Sequence, residues 1–286
     1  MTFSRVVILG HTGFVGAALE RYYRERGAEV IGHSTATLDL RSPDAARVLA
    51  PVVNAQTVVV LASAITRDRG DTLTSLLDNI AIAASVARLL VSHPVGLCAY
   101  LSTDGIYSAA ANPVREDSPL DPVGFYPLAK FTGERLLERT AQVAGVPVLI
   151  LRPTAIYGPG DTHVNYGPNQ FVRSLVTERV VRLFGGGEER RDHLFIDDAV
   201  TLIARLIEAQ ATGIYNLASG HSCSFADVVE VLRRVVPHEF EVTSVPRKAT
   251  VTHRHFDVTR LFLAAPDARF TPLEEGLRRF YDACVK

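Results

Sequence analysis

The segment Gly10-His11-Thr12-Gly13-Phe14-Val15-Gly16 decides the predicted fold of this chain. It follows a short apolar run at residues 5–9, and a helical pattern over 14–26 begins inside it. Glycines in such a loop permit a tight turn, a close approach of the backbone to a pyrophosphate, and close packing of helix on strand. The helix amino terminus adds free N–H groups and partial positive charge. The segment therefore predicts a dinucleotide-binding loop, with contacts from Gly10, Thr12, Gly13, Phe14, Val15 and Gly16.

Short apolar runs alternate with amphipathic stretches over the first half of the chain. We predict strands at residues 5–9, 29–32, 57–61, 96–102 and 147–151, and a further short strand, third in order, ending near Asp39-Leu40. Helices are predicted at 14–26, 42–49, 72–92 and 125–144. This alternation indicates an α/β fold with a doubly wound, Rossmann-like parallel sheet. We assign the dinucleotide-binding domain to 1–155, with later returns near 193–218, and a smaller substrate-binding lobe mainly to the turn-rich 156–286.

The composition and net charge of the chain limit the kinds of molecule that we expect it to bind. Among 286 residues, 30 Lys and Arg stand against 31 Asp and Glu, a formal net charge of -1. Such a balance provides no overall field for nucleic acid or an anionic membrane. The three cysteines form no C-x-x-C pair, and no apolar run approaches the ~20 residues of a membrane helix. We expect a cytoplasmic protein with no metal, nucleic-acid or membrane partner, and without a leading signal segment.

A tyrosine and a lysine stand four residues apart in Tyr126-Pro127-Leu128-Ala129-Lys130, at the start of a predicted helix. That spacing places both side chains on one helix face. A neighbouring ammonium and the cationic ring of an oxidised nicotinamide both favour the phenolate, so we expect Lys130 and the bound dinucleotide together to lower the Tyr126 pKa. Tyr126 would then exchange a proton with a hydroxyl or carbonyl group of a substrate.

A longer series of motifs resembles the extended short-chain dehydrogenases/reductases, also called the NAD-dependent epimerase/dehydratase family. The glycine loop has the spacing G-x-x-G-x-x-G, and the tyrosine motif is Y-x-x-x-K. Further matches are Asn79, Glu134 and the segments 151–159, 191–198, 215–220 and 273–277. The resemblance implies an NAD(P)-dependent enzyme whose C-terminal lobe binds a nucleoside diphosphate sugar.

Counting back from Tyr107, the resemblance implies that Thr103, with Ser102 as the alternative, hydrogen-bonds the reacting oxygen beside Tyr126. Arg191 resembles the arginine that contacts the diphosphate, although a salt bridge to Asp192 or Asp197 is the alternative. The catalytic residues are thus predicted to be Thr103, Tyr126 and Lys130. The predicted substrate contacts are Ser102, Thr103, Asp104, Asn165, Asn169, Arg191 and Arg247, of which Asn165, Asn169 and Arg247 are the weaker candidates, for the phosphates or the base. Arg67 and Arg69 are candidates for the sugar or the cofactor, with plain solvated charges as the alternative.

The segment His33-Ser34-Thr35 follows the second predicted strand without an acidic residue. An NAD enzyme usually places an acid there to bind the ribose 2′-hydroxyl. Its absence removes repulsion toward a 2′-phosphate, which His33, Ser34 or Arg41 would contact, so the sequence favours NADP over NAD. The predicted cofactor contacts outside the glycine loop are His33, Ser34, Asp39, Leu40, Leu61, Ala62, Ser63, Tyr126, Lys130 and Pro153.

Two departures from the family pattern bear on the reaction. Gly105 follows Thr103-Asp104 where dehydratases of the family carry glutamate, which disfavours elimination of water. Ala155 stands where many relatives carry asparagine. We predict reduction of a 4-keto sugar nucleotide with Tyr126 as proton donor.

Three alternatives remain open. One is a nucleotide-sugar 4-epimerase with tightly bound NAD, and another is a ketoreductase of a non-sugar substrate. The third is a catalytically silent dinucleotide sensor, against which the intact Thr103, Tyr126 and Lys130 count. The wide apolar stripe of helix 72–92 predicts that this helix and helix 125–144 pack against a partner subunit in a homodimer.

Overall fold

The computed structural model describes residues 3–163, 166–247 and 250–285. The strands are β1 (Arg5–Leu9), β2 (Glu29–His33), β3 (Thr57–Leu61), β4 (Leu97–Leu101), β5 (Val148–Pro153), β6 (Ala155–Tyr157), β7 (Val180–Phe184), β8 (Arg190–Phe195), β9 (Gly213–Leu217), β10 (Ser222–Ser224) and β11 (Glu241–Val245). The helices are α1 (Phe14–Glu25), α2 (Ala45–Leu49), α3 (Leu73–Ser92), α4 (Phe125–Ala144), α5 (Pro168–Thr177), α6 (Ile196–Glu208), α7 (Phe225–Val235), α8 (Thr259–Ala264) and α9 (Leu273–Val285).

A six-stranded parallel sheet in the order β2-β1-β3-β4-β5-β9 forms the centre of the molecule. The strand order reverses at β1, which pairs with β2 on one side and β3 on the other. In open α/β sheets the carboxyl ends of the strands at such a reversal form a ligand-binding crevice. The predicted α/β, Rossmann-like fold is therefore confirmed.

The predicted third strand near Asp39-Leu40 is wrong. Residues 35–37 form a turn in which the Ser34 carbonyl oxygen accepts the backbone N–H groups of Thr37 at 3.0 Å and Leu38 at 2.8 Å. The side chains of Leu38 and Leu40 are buried, which explains the apolar pattern that resembled a strand, but their backbone does not pair with a neighbouring strand. The strand at Thr57–Leu61 is consequently the third along the chain, and β2 is an edge strand.

Helices cover both faces of the sheet because strand residues alternate between two cores. Val6 and Ile8 of β1 join one cluster with α1 and α6, whereas Val7 and Leu9 join the other with α2, α3 and α4. Among the described helices, only α3 is long and apolar enough to cross a membrane, and half of it is buried inside the protein. A core helix of a soluble protein meets the same criterion, so this feature is weak evidence for a membrane span.

The part of the chain's second half that lies outside the main sheet forms a smaller layer over the carboxyl edge of that sheet. It contains one sheet of order β10-β8-β6, a parallel pair β11-β7, and the helices α5, α7 and α9, of which α9 packs on both of the others. In this layer the ring of Tyr166 packs against those of Phe171, Phe184 and Phe225.

Candidate functional site

A cleft of about 590 Å³ lies between the carboxyl edge of the main sheet and the smaller layer. The glycine loop and the ends of β2, β3 and β4 form one wall, and α4 contributes from its first two turns. Segments after β5, together with α5 and β8, form the other. Its lining includes these predicted site residues: Gly10, Thr12, Gly13, Phe14, Val15, Gly16, Ser34, Ala62, Ser63, Ser102, Thr103, Asp104, Tyr126, Lys130, Pro153, Asn169 and Arg191.

The glycine loop is shaped as a cradle that side chains would fill. Gly10 has a φ of 97°, and a Cβ there would lie 2.8 Å from the backbone nitrogen of Ser63. A Cβ on Gly16 would collide with the carbonyl oxygen of Gly10. The amino terminus of α1 has no side-chain cap and no acid in its first turn. The loop therefore fits a pyrophosphate approaching the helix terminus.

Tyr126 and Lys130 lie one turn apart at the start of α4, and both line the cleft. The backbone N–H of Tyr126 donates to Oδ1 of Asp71 at 2.7 Å. The helix is preceded by Gly124, which has a φ of 95° and whose added Cβ would lie 2.8 Å from Oδ2 of Asp71. The Asp71 carboxylate thus caps a helix terminus that has no side-chain cap of its own.

Among the described residues, the charge that lowers the pKa of the Tyr126 phenol is that of Arg67, and Lys130 does not contribute. Burial raises the pKa of the Tyr126 phenol to about 12, and the charge of Arg67 offsets only part of this shift. Burial likewise lowers the pKa of Lys130 to about 7, against the raising influence of Glu134. Because desolvation disfavours both charged forms, the phenol holds its proton at neutral pH.

The loop after β4 brings three further polar side chains to the cleft. The Thr103 hydroxyl accepts the Gly105 backbone N–H at 3.1 Å, while the Ser102 hydroxyl is buried with no hydrogen-bond partner among the described residues. Burial raises the pKa of Asp104, although the charge of Arg254, whose Nε lies 4.0 Å from Oδ2, opposes the shift.

Arg191 reaches the cleft from β8 and is held by the lobe. Its guanidinium pairs with Glu189 and donates to the carbonyl oxygen and hydroxyl of Thr252. The alternative pairings with Asp192 or Asp197 are wrong, because Asp192 is buried on the other side of the strand. There its carboxylate accepts the backbone N–H of Ser219 at 3.0 Å.

Two of the remaining predicted substrate contacts have structural partners. Asn169 lines the cleft, but its amide bridges the backbone of Ile156 at 3.1 Å and of Gly158 at 3.2 Å. Arg247 lies outside the cleft lining and pairs with Glu188 at 2.9 Å and Glu189 at 3.2 Å. Asn165 falls outside the described residues.

Four predicted cofactor contacts do not line the cleft. Leu61 and Leu40 are buried in the core, and Asp39 forms a salt bridge to Arg41 at 2.8 Å. Both ring nitrogens of His33 are buried under neighbouring atoms. Arg41 also contacts Asp78 at 3.3 Å, so two carboxylates already neutralise the cation considered for a 2′-phosphate.

Sequence reasoning missed Asp71, Thr35 and His193. Thr35 and His193 line the cleft, and Asp71 supports the helix that carries Tyr126. His193 had a detectable signal, since it stands two residues after Arg191 on a strand and therefore faces the same side. Asp71 had none, because its partner is a backbone N–H 55 residues away.

Comparisons with known proteins identify the family of this chain. A sequence model of the "NAD dependent epimerase/dehydratase family" matches residues 6–218. A GDP-L-fucose synthase of Sinorhizobium fredii is 24% identical over 98% of this chain and 95% of its own length.

Two solved structures illustrate the similarity of fold. The UDP-glucuronic acid 4-epimerase of Bacillus cereus, in complex with UDP-glucuronic acid and NAD, has a TM-score of 0.86 at 18% identity, with 98% of each chain covered. RMD of Pseudomonas aeruginosa, complexed with NADPH, has a TM-score of 0.87 at 22% identity, over 99% of this chain and 98% of that one. The family model matches most of this chain, and the glycine loop, Thr103, Tyr126 and Lys130 line one cleft. This chain therefore belongs to the NAD-dependent epimerase/dehydratase family.

Proposed function

We propose that this protein uses a nicotinamide dinucleotide to reduce the keto group of a 4-keto sugar nucleotide, with Tyr126 as the proton donor. The observation that carries the proposal is the shared cleft of the glycine loop, Thr103, Tyr126, Lys130 and Arg191. A cleft with these groups accommodates a dinucleotide at one end and a diphosphate-bearing substrate at the other. The full-length similarity to a GDP-L-fucose synthase supports a sugar nucleotide as the substrate class.

The proposal assigns a role to each of these residues. When bound, the dinucleotide supplies the hydride. Thr103 and Tyr126 hydrogen-bond the keto oxygen, and the Tyr126 phenol gives that oxygen a proton as the carbonyl becomes a hydroxyl. Lys130 contacts the nicotinamide ribose, and Arg191 binds the diphosphate. Because burial raises the pKa of Tyr126 to about 12, the proton-donating form predominates at neutral pH.

A nucleotide-sugar 4-epimerase is the second candidate. A UDP-glucuronate 4-epimerase of Thermodesulfobacterium geofontis is 25% identical over 70% of this chain, which supports this reading. For the cofactor, the cleft has Ser34 and Thr35 beside the end of β2 and no carboxylate from that segment, which still favours NADP.

The test is the reduction of UDP-, dTDP- and GDP-4-keto-6-deoxy sugars with NADPH and with NADH. We expect Tyr126→Phe to lower kcat by about 10²- to 10⁴-fold, as for loss of a general acid, with dinucleotide affinity little changed. Tyr22→Phe, a tyrosine outside the cleft, is the matched control and should retain full activity. Full activity in Tyr126→Phe would contradict the assigned role.

The nucleotide released on denaturation separates the candidates. Stoichiometric NAD, identified by its ultraviolet spectrum and mass, would support the epimerase and contradict the dissociable NADPH proposed for the reductase. Turnover of small ketones without activity on any sugar nucleotide would instead support a non-sugar ketoreductase. Binding of dinucleotide without any turnover would support the silent sensor.

A further inference from the structure

A short helical turn at Arg67–Arg69, between β3 and α3, brings two guanidinium groups to the cleft. The backbone N–H of Arg69 donates to the Thr66 carbonyl oxygen at 2.9 Å, and that of Gly70 donates to the Arg67 carbonyl oxygen at 3.1 Å. Both arginines are exposed, and neither side chain forms a salt bridge or a hydrogen bond with another described residue. A ligand in the cleft can therefore reach both cations.

The opposite wall of the cleft contributes His163, which follows β6. Its Nδ1 lies 2.6 Å from Oδ1 of Asp161, and the same oxygen accepts the His163 backbone N–H at 3.0 Å. The Arg173 guanidinium donates to the His163 carbonyl oxygen at 2.6 Å. The Asp161 side chain is 1% exposed, whereas that of His163 is 22% exposed. The imidazole is thus held in place by its neighbours and keeps part of its surface open.

The charges on the two walls act on each other across the cleft. The hydrogen bond to Asp161 raises the pKa of the His163 imidazole, against the lowering effect of burial. The charge of Asp68, in the arginine turn, raises this pKa as well, and the charge of Arg69 lowers it. The imidazolium form of His163 is therefore favoured, and it lies within electrostatic reach of the arginine turn.

Positive charge exceeds negative charge where the arginine turn and His163 approach each other. The charged groups described there are the cations Arg67, Arg69, Arg173 and His163 and the carboxylates Asp68 and Asp161. Like charges placed together repel each other, and an anion between them removes that repulsion. Guanidinium and imidazolium groups also donate hydrogen bonds to the oxygens of carboxylates and phosphates. The arrangement therefore fits an anionic group that contacts both walls.

The same cations lie near the reacting centre. The charge of Arg67 opposes the rise in pKa that burial causes in the Tyr126 phenol and in the Asp104 carboxyl. Tyr126 and Asp104 line the cleft together with Arg67. A sugar nucleotide with its keto carbon at Tyr126 would thus have an anionic group within reach of Arg67.

We propose that Arg67, Arg69 and His163 form an anion-binding subsite that holds the sugar nucleotide between the two walls of the cleft. The inference rests on the proposed function, because it takes a sugar nucleotide as the ligand. The anionic group is either a carboxylate on the glycosyl group or the diphosphate, on the side not held by Arg191. Both offer the same kind of oxygen to these cations, and the first would make the protein selective for hexuronic acid derivatives.

Titration calorimetry measures the affinity for UDP, dTDP and GDP, each free, linked to a neutral hexose, and linked to a hexuronic acid. The double variant Arg67→Gln with Arg69→Gln removes two charges, and the corresponding double lysine variant keeps them. His163→Gln keeps a polar side chain without a charge. Arg88→Gln, on α3 and outside the cleft lining, is the matched control. The thermal midpoint and the affinity for NADPH and NADH report whether each variant is folded.

We expect the double glutamine variant to bind the anionic ligand about tenfold or more weakly, as for the loss of charge-assisted hydrogen bonds. His163→Gln should show a smaller loss, the double lysine variant should keep most of the affinity, and Arg88→Gln should keep all of it. A loss confined to the hexuronic acid derivatives assigns the subsite to the glycosyl carboxylate. An equal loss with the free diphosphates assigns it to the diphosphate.

Unchanged affinity for every ligand, in either the double glutamine variant or His163→Gln, would overturn the inference and leave the proposed function intact. A loss of dinucleotide affinity as large as the loss of sugar-nucleotide affinity would also overturn it, because the cations would then serve the dinucleotide or the fold. If the wild type binds a dinucleotide but no sugar nucleotide or diphosphate, the proposed function fails and the inference fails with it.

Discussion

Lys130 has its ammonium buried beneath the cleft, with Nζ 4.2 Å from the centroid of the Tyr100 ring. Among the described residues, the acid that raises the pKa of Lys130 is Glu134 on the same helix. The Glu134 carboxylate already accepts a hydrogen bond from the Arg152 guanidinium at 2.7 Å. The pKa of Lys130 therefore falls from 10.5 to about 7. Burial of the Lys130 amine therefore lowers the free energy of unfolding. Functional groups often have such an unfavourable effect on stability.

We predict that Lys130→Met stabilises the protein while abolishing activity. Below pH 7 the folded wild type must either bury a charged lysine or release a proton that the unfolded chain keeps. The loss of folding free energy caused by Lys130 is therefore greatest in this pH range. The cost shrinks as pH rises toward 10.5, where the unfolded chain also loses the proton. Near pH 7 the variant should gain about 2 kcal/mol in the free energy of unfolding.

Urea unfolding at about pH 7 and about pH 9 measures this difference. The gain should be smaller at the higher pH. A variant less stable than wild type at pH 7, or a gain that grows with pH, would contradict the lowered pKa of Lys130.

At the scale of elements, the site depends on the amino terminus of α4. Gly124 provides no side-chain cap, and the first turn of α4 has no acid, so Asp71 from the loop before α3 supplies the negative charge. The same helix is anchored further along by Glu134, whose carboxylate pairs with the buried Arg152 of β5. Arg152 also donates to the Tyr107 hydroxyl at 2.8 Å, and that hydroxyl donates to Asn216 of β9 at 2.7 Å. Side chains from several elements thus hold α4 against the carboxyl edge of the sheet.

We predict that Asp71 is a positioning residue for Tyr126. Asp71→Ala should lower kcat by about tenfold, because the helix terminus that carries the phenol loses a charged hydrogen-bond acceptor. Asp71→Asn keeps an oxygen acceptor and should recover most of the rate. Steady-state kinetics of the keto reduction, with the dinucleotide affinity as a check, measure the effect. Unchanged kcat in Asp71→Ala would show that the contact at 2.7 Å does not position the phenol.

At the scale of the whole molecule, α3 and α4 pack on each other and also expose large apolar side chains. The exposed residues on the two helices are Leu73, Leu77, Val91, Phe125, Leu128 and Val143. Leu73 and Leu77 are 57% and 58% exposed and lie one turn apart on α3. Exposed apolar side chains that form a patch can mark an interaction surface, and the homodimer through these helices remains a prediction.

We predict that the wild type is a dimer by sedimentation velocity and that Leu73→Glu with Leu77→Glu converts it to a monomer. Buried carboxylates at a two-fold interface would repel their own copies and pay a desolvation cost. Leu263→Glu on α8 is the matched control, because Leu263 is 81% exposed on a different element. A monomeric wild type, or a dimer insensitive to the double substitution, would contradict this interface.

The sequence by itself determined the fold class, the glycine loop and the residues that line the cleft near Tyr126 and Lys130. These features depend on short-range geometry: a turn that excludes side chains at Gly10 and Gly16, a four-residue spacing on a helix, and apolar runs that alternate with helices. The tertiary structure decided what depends on distant neighbours. It showed that Leu38 and Leu40 are buried without forming a strand, that Glu189 holds Arg191, and that Asp71 caps α4. It also set the protonation of Tyr126, Lys130 and His193, because desolvation is produced by all the atoms packed around a group and no local pattern records them.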